Sequence, residues 1–237
     1  MKLNTKYRTA DPEIMDDFAI EGEQLTEALD KIAQINQLLG GNALTLSGVK
    51  NLISKIPNGQ QITILDLGCG NGDMLRTLAY YAERNQLNFK LIGIDANQFT
   101  VNYAIDSSIK YPNIEYLSKD IFQTNFENIK FDIALCTLTL HHFKDNEISQ
   151  IIEILERNAR LGIVVNDLHR SKIAYRLFQL IAVVFGLNEM SRKDGLTSIL
   201  RGFKKEELLD FSRKLRNSSS EINWKWAFRY QWIITKL

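Results

Sequence analysis

Residues 62–73, Ile62-Thr-Ile-Leu-Asp66-Leu-Gly68-Cys69-Gly70-Asn-Gly72-Asp73, constrain this chain more than any other stretch. Four β-forming residues run into three glycines at alternate positions, and the helical pattern Met74, Leu75, Leu78, Ala79 follows. A strand feeding a helix through glycines gathers backbone N–H groups around whatever sits at the turn. A dinucleotide turn requires Gly-x-Gly-x-x-Gly/Ala so that a pyrophosphate rests on the helix N-terminus. Counted from Gly68 and Gly70, that third position is Asp73. Its carboxylate and that of Asp66 oppose a pyrophosphate and favour a ligand carrying positive charge.

From residue 61 onward, strand and helix patterns alternate, which predicts a doubly wound α/β sheet. Strands are expected at 62–67, 90–95, 113–117, 130–136 and 161–166, and helices near 72–85, 98–109 and 146–157. An apolar helix over 171–186, a loop with Gly195 and a helix near 204–216 come next. Asn217-Ser-Ser-Ser220 should break that helix, and the alternating aromatic tail 221–237 reads as a β-hairpin. Before the sheet, Leu25, Leu29, Ile32, Ile35 and Leu39 mark a helix from Glu23, Gly40-Gly41 ends it, and a shorter helix spans 44–54. Residues 1–58 are thus expected to form a helical preface or lid, and 59–237 the main domain, with Pro57-Asn-Gly59 turning into the first strand.

The Asp66, Gly68, Gly70, Gly72 pattern resembles motif I of the class I S-adenosylmethionine (SAM) methyltransferases, written Asp/Glu-x-Gly-x-Gly-x-Gly. The resemblance implies a seven-stranded Rossmann-like sheet with a C-terminal antiparallel hairpin, and SAM as cofactor. Glu13-Ile-Met-Asp-Asp17 and Ile35-Asn-Gln-Leu-Leu-Gly40 look, more loosely, like bacterial methyltransferases of quinone and aromatic polyketide chemistry.

Several residues beyond the turn are candidates to hold the cofactor. Asp95, followed by Ala96, ends the second strand 23 residues beyond Gly72. An acidic residue there can accept from both ribose hydroxyls, the competing role being a helix N-cap. The resemblance gives Asp120 the adenine amino group and Ile121 a ring nitrogen, with an N-cap again the rival for Asp120. It also sets Cys69 in the cofactor turn, and Cys136 and Thr137 beside the methionine moiety through backbone atoms. Arg8, in the preface, can meet the SAM carboxylate.

Acceptor-side candidates cluster where later strands end. His141 and His142 follow the fourth strand and are expected to face the acceptor or cap a helix. Asn166, Asp167, His169 and Arg170 follow the fifth; Asp167 and His169 share a face while the chain stays extended, giving an oriented base. The alternative is Asp167 as an N-cap. Adjacent histidines do not readily ligate one ion, and Cys69 and Cys136 lack C-x-x-C partners, so no metal is expected. Arg170 joins His141 and His142 as a substrate contact.

A formal charge of +1 offers no field for nucleic acid. The greasy stretch Ile173–Leu187 holds Arg176 and Gln179 and is too short for a membrane span. The first residues lack an apolar stretch of the kind a secretory signal carries, and two scattered cysteines suit a reducing cytoplasm. The expected reaction is methyl transfer to a small, largely apolar acceptor, a phenol or hydroquinone hydroxyl. An RNA or protein methyltransferase and a non-catalytic SAM-binding partner protein are the alternatives.

Overall fold

A computed structural model of the chain describes residues 3–57, 59–123 and 129–237; Met1, Lys2 and Asn58 of the expected turn lie outside the described residues. Seven strands form one sheet in the order β3-β2-β1-β4-β5-β7-β6. They are β1 (Ile62–Leu67), β2 (Phe89–Asp95), β3 (Ile114–Ser118), β4 (Phe131–Thr137), β5 (Ala159–Leu168), β6 (Ser218–Lys225) and β7 (Arg229–Lys236). The first five are parallel, and β7 then pairs antiparallel with β5, Val165 facing Trp232 and Leu168 facing Arg229. This is the Rossmann-like methyltransferase sheet with its closing hairpin. The crossover from β3 to β4 on the far side of β1 opens a crevice at the carboxyl ends of the strands, where ligands bind in such sheets.

Two apolar layers flank the sheet. On one face Met74, Leu75, Leu78, Ala79 and Ala82 of α3 (Asp73–Arg84) meet Ile64, Ile133 and Val164. On the other, Ile148, Ile151, Ile152 and Leu155 of α5 (Asp145–Asn158) meet Leu65, Ala134 and Val165. Strands buried on both faces explain the near-continuous apolar runs in their sequence. Between β2 and β3 lies α4 (Gln98–Ser107), whose N-cap Asn97 accepts from the Thr100 N–H at 2.9 Å.

The preface comprises α1 (Glu23–Leu38) and α2 (Gly41–Ile53). Only Gly40, at φ 78°, makes the break. Gly41 opens the second helix instead of separating it from the first, and a Cβ there would lie 1.8 Å from the Asn36 side chain, so the close approach of the two helices needs glycine. Val49 and Leu52 of α2 belong to the same apolar layer as α3, and a Cβ on Gly48 would stand 2.6 Å from Val164. So α2 packs directly on the sheet.

Three elements depart from the expectations. The loop around Gly195 is a helix, α7 (Glu189–Arg201). A Cβ at Gly195 would lie 2.2 Å from the Phe178 ring, so close packing on α6 (Lys172–Val184) outweighs the weak helix propensity of glycine. The next helix, α8 (Lys205–Ser212), stops earlier than expected. Ser218, Ser219 and Ser220 then join β6 through pairing with Lys236, Thr235 and Ile234. The apolar helix α6 buries only Ala174 and Ala182 but lines the cavity described below with Leu177, Leu180, Ile181 and Val184, the ligand-facing role expected of it, while Ile173 and Val183 are exposed. Among the described residues no helix is long and apolar enough to cross a membrane.

Candidate active site

A cavity of about 840 Å³ lies over the carboxyl ends of the strands, bounded by α1 on one side and by α6 and α7 on the other. Its floor is the glycine turn. Gly68, Gly70 and Gly72 have φ of 67°, 52° and 77°, the left-handed region that glycine adopts without steric cost. Added Cβ atoms would strike Thr139 from Gly68 at 2.6 Å and the Tyr116 hydroxyl from Gly72 at 2.0 Å. The turn is therefore fixed by what packs around it.

Asp66 is buried in this floor and forms no hydrogen bond among the described residues, its Oδ1 fully enclosed. Burial, then Asp95 and Asp73, push its carboxyl up to about 8. Such a group lacks a positive partner. Asp95 accepts from the Gly70 N–H at 3.0 Å and the Asn97 N–H at 3.1 Å, so it locks the turn to β2 while lining the cavity. The N-cap itself is Asn97. Asp73 is committed elsewhere, accepting from Gln37 and, at 2.6 Å, from Asn42 Nδ2. It ties the preface to α3.

The remaining cofactor candidates divide. Cys69, Ala96, Asp120, Ile121 and Thr137 line the cavity, and Asp120 accepts from the Phe122 N–H at 2.8 Å. Cys136 does not line it: its thiol is buried with Leu65, Ala134 and Val165 in the apolar layer. Arg8 also lies elsewhere. Its guanidinium donates to Asp145, to the carbonyls of His141, Phe143 and Arg201, and covers the Phe203 ring, pinning the N-terminal segment to the β4–α5 loop. Its donors are spent on that work, which removes it as the carboxylate contact.

On the acceptor side the structure rearranges the expected pair. Asp167 partners His141 instead of His169: Oδ1 lies 2.7 Å from His141 Nδ1, and Oδ2 accepts the His141 backbone N–H. His169 is held by Trp224, whose indole N–H donates to its Nδ1 at 3.1 Å. In the neutral ring that bond leaves the proton on Nε2, so His169 presents a donor. Its pKa is lowered by burial and by Lys204 and Arg170. Ser171 caps α6, so Asp167 is not an N-cap. Arg170 is fully buried away from the cavity, bonded to Glu207 and to the carbonyls of Thr5, Lys6 and Gly202. It holds the chain terminus and leaves no donor for a substrate.

Glu13, to which the sequence assigned no role, completes the cluster. Its Oε1 stands 3.6 Å from His141 Nε2, both atoms are buried without a hydrogen bond among the described residues, and Ser198 donates to its other oxygen at 2.6 Å. Burial raises the Glu13 carboxyl to about 7 against the opposing pull of His142, Ser198 and Arg201. His142 bonds Asp16 at 2.7 Å. The 3-10 turn Leu140–His142 brings both rings and Glu13 within 4.8 Å, which the local chain geometry was expected to prevent. Arg201 Nη1, however, lies 3.6 Å from Glu13 Oε1 and 2.5 Å from Asp16. A fixed cation thus stands beside both carboxylates.

Comparison with known proteins agrees with this geometry. Residues 64–162 match the methyltransferase domain family. A putative methyltransferase, 235L, of Invertebrate iridescent virus 6 is 28% identical over 86 residues, 36% of this chain and 29% of its own length. The plantazolicin methyltransferase BpumL, solved with S-adenosylhomocysteine (SAH), superposes with a TM-score of 0.64 at 15% identity, covering 90% of this chain and 96% of that one. Magnesium protoporphyrin IX methyltransferase of Synechocystis PCC 6803, solved with SAM, gives 0.56 at 15% identity over 94% and 89% of the two chains. The buried, unpartnered Asp66, the glycine turn and Asp95 at the end of β2 fit the ribose-bearing SAM or SAH that these structures hold. Residues 64–162 thus carry the match to a methyltransferase domain, within a fold that these SAH- and SAM-bound enzymes share.

Proposed function

We propose that the protein transfers the SAM methyl group to an oxygen of a small, largely apolar acceptor, a phenol or hydroquinone hydroxyl being the best fit. The supporting observation is the His141–Asp167 pair at the wall of an apolar cavity. Bound SAM supplies an electrophilic methyl group. Asp66 balances its positive charge, Asp95 takes the ribose hydroxyls, and Asp120 with the Ile121 N–H meets the adenine edge. Cys69, Ala96 and Thr137 contribute the walls between these points.

A phenol is a poor nucleophile while its oxygen keeps a proton, since its unperturbed pKa is about 10. Asp167 accepts at His141 Nδ1 and so places the ring proton there, leaving the Nε2 lone pair as proton acceptor. A hydroxyl reaching that nitrogen displaces Glu13 from its position above it. The imidazolium that forms stays buried beside the Asp167 carboxylate, which stabilises it. His142 and His169 flank the same cavity, His169 as a hydrogen-bond donor. Apolar walls from α1 and α6 exclude water and align the acceptor with the methyl group.

An oxygen acceptor makes a direct demand: a panel of phenols and hydroquinones incubated with isotopically labelled SAM should give a labelled product whose label survives as an aryl methyl ether. Label on carbon or nitrogen, or transfer only to RNA or protein, would overturn the reading. Cofactor binding with no transfer to any acceptor would favour the non-catalytic alternative.

A further inference from the structure

Arg229 opens β7, opposite Leu168 of β5, and forms part of the cavity wall with Phe228 and Trp226. It is only 3% exposed, and its Nε and Nη1 have no hydrogen-bond partner among the described residues. Every other buried arginine side chain here is bonded: Arg170 to Glu207 and three carbonyls, Arg201 to Asp16 and two carbonyls. Asp167 lies near enough to interact with Arg229 electrostatically but is already committed, Oδ1 to His141 Nδ1 and the Leu168 N–H, Oδ2 to the His141 N–H. A buried guanidinium without an anion is costly, and native proteins retain one where a ligand completes it.

We infer that Arg229 binds an anionic oxygen of the acceptor, so that the substrate class is an apolar molecule bearing an acidic group, a carboxylate in the simplest case. This rests on the preceding reading of the cavity as the acceptor site and narrows it. The planar guanidinium fork suits a carboxylate or a delocalised enolate-type anion, where a lysine would offer only a point charge. With the acid held at the β7 end of the cavity, the hydroxyl is oriented by two points, the charge and the apolar walls. Nothing in the local sequence advertises this: Arg229 is one of three basic residues, with Lys225 and Lys236, in an aromatic hairpin.

Calorimetry on the SAH-loaded full-length protein tests it with 3,4-dihydroxybenzoate and its uncharged counterpart catechol. Wild type should bind the acid at least about tenfold more tightly. Arg229→Met should reduce the preference below about twofold with SAH affinity unchanged, and its ligand-free Tm should equal or exceed that of wild type, because no hydrogen bond is lost. Should that variant fail to fold, Arg229→Gln, which keeps donors but not the charge, must lose the preference. The inference is overturned if wild type shows no preference or binds neither probe, if the preference survives loss of the charge, or if Arg229→Met folds but melts lower than wild type. Failure of SAH to bind would instead overturn the cofactor reading, leaving the two distinguishable.

Discussion

Asp167 and His141 lie 26 residues apart in the chain and 2.7 Å apart in space, joined across the ends of β5 and the β4–α5 loop. The bond fixes one nitrogen of the ring and leaves the other beside Glu13. On this arrangement, His141→Ala should reduce methyl transfer by about 100-fold or more, within the usual range for a positioned base. Asp167→Asn should have a large effect through the tautomer. His169→Ala should cost less than about tenfold. SAH affinity measured in parallel should stay within about twofold in all three; a larger loss for His169→Ala than for His141→Ala would return the base to His169.

Cofactor affinity should depend on pH through Asp66. Its carboxyl is raised to about 8 in the folded protein, so below that pH it is largely protonated and cannot balance a positive ligand. SAM binding should therefore strengthen as pH rises from 6 toward 8. Asp66→Asn should bind more weakly and lose that dependence, which isothermal calorimetry at three pH values will show.

Glu13 makes a separate prediction about stability. Its folded pKa of about 7 exceeds the ordinary glutamate value of 4.5, so the stability it contributes is present below the unfolded value and is lost as pH rises through the folded one. Replacing it with glutamine should remove this loss, up to about 3 kcal/mol by the usual conversion of a pKa difference. Denaturant unfolding at pH 5 and pH 8 should show wild type losing more stability over that interval than Glu13→Gln. Equal slopes would place the charge change elsewhere.

The three glycines of the turn should not be equally intolerant. Gly72→Ala and Gly68→Ala combine positive φ with a collision, at 2.0 Å and 2.6 Å respectively, and should cost more than about 2 kcal/mol. Gly70→Ala meets only Leu29 at 3.7 Å and should cost about 1 kcal/mol, the backbone strain alone. Thermal melts of the three variants order them directly.

The sequence determined the sheet and its floor. β-branched runs, glycine spacing and helical periodicity are local signals, so β1 spans 62–67 as expected, and Asp66, Asp95 and the turn are placed by their neighbours in the chain. Pairing across the cavity was decided by the tertiary structure. Asp167 and His169 were two residues apart and shared a face, yet Asp167 bonds a ring on another strand's loop, and Trp224 from the hairpin takes His169. Arg8 and Arg170 read as ligand contacts because a charged group has no local instruction about its partner; backbone carbonyls from distant segments claimed both. Glu13 and Arg229 gain their unpaired, buried atoms only when the preface and the hairpin close over the strand ends. Burial is a property of the assembled chain, and burial turns those charges into a site.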